Sequence, residues 1–81
     1  MNTSRIIVTV VGKDKVGIIA GVANTLAGCN ANIVDISQTI MQGFFTMIMM
    51  VDITHCTVDF SELKEKLEKC GEELEVKITA Q

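Results

Sequence analysis

Gly12-Lys-Asp-Lys-Val-Gly17 has the glycine spacing of a phosphate-cradling loop. Such a loop needs a lysine and then a serine or threonine after its last glycine, to hold phosphate and magnesium, and Ile18 and Ile19 stand there instead. Nucleotide hydrolysis is therefore excluded. His55-Cys56 supplies an imidazole and a thiol. Neighbours on an extended chain point to opposite sides, and this pair falls in the turn before a helix, so it makes no nucleophile and base. Asp14, Asp35, Asp52 and Asp59 are scattered over caps and strand positions, and nothing sets two of them around one reacting atom. Cys29, Cys56 and Cys70 are widely spaced, with no CxxC and one histidine. That fits neither a disulfide framework nor a tetrahedral zinc site. The expectation is a protein without catalysis, metal or other cofactor.

The turn Asp14-Lys15-Val16-Gly17-Ile18 remains. It presents free backbone N–H groups at the start of a helix, where the dipole favours an anion such as a carboxylate, and Gly17 would let a ligand approach the chain. An ordinary capped helix start accounts for the same residues.

Elements on either side must position that turn. Arg5-Ile-Ile-Val-Thr-Val-Val11 is β-branched, apolar on both faces and closed by Gly12, so it reads as a central strand. From Val16 to Cys29, apolar residues recur at helical spacing, with Asp14 as the expected N-cap and Gly28 as the stop. The pair Gly17 and Gly21 is expected to bring that helix close to the sheet. Asn32 to Ile40 alternates, with Val34, Ile36 and Ile40 on one side and Asp35, Ser37 and Thr39 on the other. Gly43 marks a hairpin into a second doubly apolar strand, Phe44 to Ile53. Asp59 and Glu62 have capping-box spacing before a helix whose stripe is Phe60, Leu63, Leu67 and Cys70, with Gly71 as its stop. Glu62 with Lys66 and Glu65 with Lys69 form favourable pairs on its wet side. Leu74 to Thr79 alternates as a last strand.

The order βαββαβ with right-handed crossovers makes the first and third strands the central pair, and these are the two strands that are apolar on both faces. The expected fold is a ferredoxin-like α+β sandwich, a four-stranded antiparallel sheet with two helices on one face. The other face then carries apolar side chains from the central strands, too many to remain in water. A chain of 81 residues has little core to spare. A homodimer or larger oligomer that covers this face, or extends the sheet at an edge, is therefore expected.

Composition closes other classes. Net charge is −3, tryptophan and tyrosine are absent, and Phe44, Phe45 and Phe60 are the only aromatics. A nucleic-acid binder needs a basic stripe or a stacking platform, so no direct nucleic-acid partner is expected. No apolar run is long enough to span a bilayer, and no signal peptide is visible. The expected address is the cytoplasm, with reduced thiols and no membrane partner.

The span Ile7-Val-Thr-Val-Val-Gly-Lys-Asp-Lys-Val-Gly-Ile-Ile19, followed by Ala31-Asn-Ile-Val-Asp-Ile36, resembles the ACT domain. More closely, the chain is similar to small stand-alone ACT proteins related to the repressor of the glycine cleavage system. The likeness covers nearly the whole chain, taken as one domain over residues 1–81. It implies a βαββαβ regulatory module that binds an amino acid or other small metabolite at an interface. Gly12, Asp14, Lys15, Val16, Gly17 and Ile18 would line the pocket, and Asn32 would reach it from a neighbouring subunit. Backbone N–H groups would take the ligand carboxylate, and Asp14 or Asn32 its ammonium or side chain. With no second domain or repeat in the sequence, output would pass through self-association or a separate partner protein. A ligand-independent interaction module is the competing reading. An acylphosphatase-type enzyme would want an arginine in the loop after the first strand, where only Lys13 and Lys15 occur.

Overall fold

The structure, a computed structural model, describes residues 4–81, so the first three residues of the expected domain lie outside it. The elements are β1 (Arg5–Lys13), α1 (Ile18–Gly28), β2 (Asn32–Met41), β3 (Phe44–Asp52), α2 (Phe60–Leu74) and β4 (Val76–Ala80). The strands form one antiparallel sheet in the order β2-β3-β1-β4, so the two doubly apolar strands are central as the burial pattern requires. Ile6, Val8 and Val10 of β1 and Phe45, Met47, Met49 and Val51 of β3 point into the core with Ile18, Val22, Leu26, Leu63 and Leu67 of the helices. Both helices therefore lie on one face of the sheet, and the fold is the ferredoxin-like sandwich. Cys29 and Cys70 are buried in that core and all three thiols are free.

The β2–β3 connection is a two-residue loop in which Gln42 and Gly43 both take positive φ, 50° and 84°. That is the geometry which matches the right-handed twist of the flanking strands. On β2, Ile36 and Ile40 share the helix side with Ile33, while Asp35, Ser37 and Thr39 face away. Val34 leaves the expected alternation because a register shift between Ile33 and Asp35 places it in a bulge.

Helix α1 corrects three expectations. It begins at Ile18, and its N-cap is Gly17 in the left-handed region at φ 97°, with no side-chain cap. Asp14 is thus not the cap; it lies before the turn that Gly17 makes. Gly28 is the last helical residue and not the stop. The chain leaves α1 through Asn30 at φ 58°, whose N–H donates to the Ala27 carbonyl at 3.0 Å, while the Ala31 N–H donates to the Leu26 carbonyl at 2.9 Å. This is a Schellman termination with asparagine in the usual glycine position. Finally, Gly21 meets the other helix, not the sheet: a Cβ there would lie 2.9 Å from Leu74 Cδ1.

Helix α2 starts as its spacing requires, with the Asp59 carboxylate accepting from the Glu62 N–H at 2.8 Å. Asp59→Ala is expected to cost about 1 kcal/mol, read from the urea midpoint at unchanged slope. The helix does not stop at Gly71 but continues to Leu74 and turns at Glu75, itself left-handed at φ 60°. Gly71 serves close approach: a Cβ would sit 2.7 Å from the Val76 carbonyl oxygen and 3.2 Å from Ile78 Cγ1. The extra turn shifts the last strand to Val76–Ala80. Phe60 departs from the buried stripe and stays at the surface, its ring 5.5 Å below the Lys64 ammonium. The expected Glu–Lys pairs on α2 do not close; among the described residues the ion pair formed is between Lys15 and Glu75.

Candidate ligand-binding site

The end of β1 carries the chain to the mouth of the sandwich. Gly12 is held against β4, where a Cβ would meet Val76 Cγ1 at 2.7 Å. Lys13 closes the strand, and the Asp14 N–H donates to the Gly43 carbonyl at 2.8 Å, tying the turn to the tip of the β2–β3 hairpin. Lys15 then crosses to the α2–β4 junction, its Nζ 3.1 Å from Glu75 Oε1. Val16 is fully exposed, an unusual place for an apolar side chain, whereas Ile18 is buried. Lys13, Asp14, Lys15 and Glu75 border an open hollow of about 510 Å³.

The electrostatics of this mouth follow from Gly17. The first backbone bond of the helix runs from the Gly21 N–H to the Gly17 carbonyl at 2.9 Å. The N–H groups of the first turn precede any intrahelical acceptor, and no side chain caps this end. The first turn also contains no acidic residue. The positive end of the helix dipole is consequently uncompensated at its own terminus, which favours an anion there. The hollow itself is bordered by the ammonium groups of Lys13 and Lys15 and the carboxylates of Asp14 and Glu75, so both signs of charge meet there.

Of the residues expected to line a pocket, Asp14 and Lys15 border the hollow, whereas Gly12, Val16, Gly17 and Ile18 do not. Glu75 borders it too, a position for which the sequence carried no signal because Gly71 was the nearer stop. Asn32 is not brought to the turn within one chain. It pairs across β3 Asp52 with Arg5, at the start of β1, whereas the turn follows Lys13. Eight residues of strand at ~3.3 Å each separate the two ends by roughly 27 Å. At the Asn32 end, the side chain of Thr54, and its N–H donating at 2.8 Å, hold the Asp52 carboxyl below its ordinary range. His55 is exposed and Cys56 half-buried in the turn before α2, where the Asn30 side chain donates to the His55 carbonyl at 3.0 Å.

Glu75 sits in a conformation that glycine adopts without penalty. Its ion pair joins side chains that are 38% and 82% exposed and so adds little stability. Glu75→Gly is therefore expected to leave the melting temperature unchanged or raise it, while removing one carboxylate from the hollow.

This architecture, together with the sequence pattern of the turn, defines a family: the ACT-domain pattern matches residues 4–81, and the chain belongs to the ACT-domain family. ACT domains generally bind amino acids or other small ligands in regulation. Among its relatives, a UPF0237 protein of Listeria innocua is 60% identical over 77 residues, covering 95% of this chain and 86% of that one. A UPF0237 protein of Methanocaldococcus jannaschii is 56% identical over 78 residues, with 96% and 87% covered. A solved ACT domain protein from Streptococcus pneumoniae superposes with a TM-score of 0.86 at 45% identity, covering 99% of this chain and 90% of that one. A structure provisionally named a glycine cleavage system transcriptional repressor shares the fold at TM-score 0.85 and 20% identity, this chain spanning 46% of it. Among the described residues, no helix is long and apolar enough to cross a membrane.

Proposed function

We propose that this ACT-domain protein is a non-catalytic cytoplasmic regulator, a single domain that binds an amino acid at the β1–α1 turn and acts as a homo-oligomeric sensor. The observation that carries this reading is the convergence of opposite charges on one hollow. The ammonium groups of Lys13 and Lys15 at the hollow, with the uncapped amides of the α1 start that follows them in the chain, suit a carboxylate, and Asp14 and Glu75 suit an ammonium. A zwitterion would enter the Lys15–Glu75 ion pair and satisfy both partners. Gly17 leaves space at the amides, since nothing lies within 4 Å of where its Cβ would be. Asn32 would complete the pocket from a neighbouring copy, being at the far end of its own sheet. Occupancy would then alter self-association and the surface shown to a separate partner protein.

The test is a thermal-shift and calorimetric screen of the amino acids and common metabolites. A ligand present at a hundred times its Kd is expected to stabilise the fold by about 2.7 kcal/mol. Lys15→Ala should reduce that shift, and Gly17→Val abolish it. No hit for the wild-type chain overturns the reading. The apolar open face of the sheet favours a second reading, an adaptor that docks another protein without a ligand. Recovery of a stoichiometric partner whose binding ignores amino acids would support it.

A further inference from the structure

The open face of the sheet has a defined layout. Residues paired across strands point to the same side, so the register yields five rows. These are Arg5, Asp52 and Asn32; Ile7, Met50 and Asp35; Thr9, Ile48 and Ser37; Val11, Thr46 and Thr39; and Lys13, Phe44 and Met41. Strand β4 adds Thr79 and Lys77 beside the third and fourth rows. Apolar and hydroxyl side chains fill the middle and charges stand at the ends and edges, which is the anatomy of a protein interface. Two features break the surface. Phe44 protrudes at 61% exposure near one end, and a hollow of about 180 Å³, bordered by Ile7, Ile48 and Met50 with Asp35 and Ser37 on its β2 side, lies toward the other.

We propose that a second copy of this chain covers the open face, packed sheet against sheet, with the Phe44 ring of each copy seated in the Ile7–Ile48–Met50 hollow of the other. A knob and a hollow on one surface are what an isologous two-fold contact needs. Placing the axis across the strands, between the Ile48 and Thr46 rows, sets Phe44 over the Met50 row of the partner copy. The same operation sets Lys13 over Ile7, Asp35 over Met41 and Lys77 over Thr79, so no charge faces its own sign. At ~3.3 Å per residue and ~4.8 Å per strand the face measures on the order of 500 Å² per copy. Two copies then bury about 1,000 Å², the area that a specific interface must reach to stand apart from a chance contact. The arrangement also carries the Asn32 end of each copy toward the turn end of the other; this last consequence alone rests on the ligand-site reading.

Sedimentation of the full chain at micromolar concentration is expected to show a dimer without any added ligand, so the outcome is independent of the amino-acid screen. Ile48 lies near the axis and is half exposed, so Ile48→Asp and Ile48→Lys should fold, as checked by circular dichroism, yet sediment as monomers. An equimolar mixture of the two should recover the dimer through opposite charges. Phe44→Ala should weaken association at least tenfold, and Val34→Asp, on the edge bulge, should leave it unchanged. A monomeric wild type, an Ile48→Asp variant that still dimerises, a mixture that stays monomeric, or loss of the dimer in Val34→Asp would each overturn the proposal.

Discussion

Replacing Leu67 by alanine is expected to lower the unfolding free energy by about 2–5 kcal/mol, the range for truncating a fully buried leucine. Leu67 is 1% exposed, on the turn of α2 beside Ile78 and Ala80 of β4. The loss is large relative to what a chain this short holds, because at ~0.05–0.15 kcal/mol per residue the total is roughly 4–12 kcal/mol. The melting temperature should fall on the order of 10–30 °C, at ~4–8 °C per kcal/mol for a domain of this size. Urea unfolding checks this by a shifted midpoint at unchanged slope, with protein concentration held fixed since association raises apparent stability. Ile36→Ala is the control. That side chain faces the helix side of β2 but is 45% exposed, beyond the reach of the core, and its truncation should cost well under the Leu67 value.

Gly71→Ala is expected to destabilise, and here the sign matters more than the size. Alanine gains about 1 kcal/mol over glycine inside a helix, so a glycine present merely as a helix residue would be improved by the change. At this position the new methyl would lie 2.7 Å from the Val76 carbonyl oxygen, which is backbone and fixed by the β1–β4 ladder. Forcing α2 off β4 costs about 1–3 kcal/mol or more for one methyl, which exceeds the helical gain. Gly71→Leu should fail to give a cooperative transition. A rise in melting temperature for Gly71→Ala would show that the contact relaxes without cost.

These two positions mark what the sequence could and could not disclose. Strand order was legible because β1 and β3 are apolar on both faces, a property of composition that survives without knowing any contact. The start of α2 was legible because Asp59 and Glu62 interact over three residues. Gly71 was misread because a glycine that ends a helix and one that lets a strand pass leave the same letter, and only the distance to Val76 separates them. Asp14 was misread as a cap for a related reason: its side chain has the right chemistry, but the left-handed turn at Gly17 starts the helix later. Within the candidate site, Lys13, Asp14 and Lys15 are consecutive and so stood out locally. Glu75 did not, since its link to Lys15 spans 60 residues and its backbone conformation belongs to a residue type the sequence does not show there. Asn32 stood in the motif, yet its distance from the turn became visible only with the strand register.

The hydrogen bond from the Asp14 N–H to the Gly43 carbonyl ties the candidate site to the open face of the sheet. Gly43 is the residue before Phe44, so the mouth that would receive a metabolite and the aromatic ring on the far side of the sheet are fastened to the same two-residue loop. A shift at either one would pull on the other through that loop. A metabolite that favoured one setting of that loop would favour the assembly sharing it, and assembly would tighten metabolite binding by the same factor. The protein's response would therefore report its own abundance as well as the concentration of what it binds.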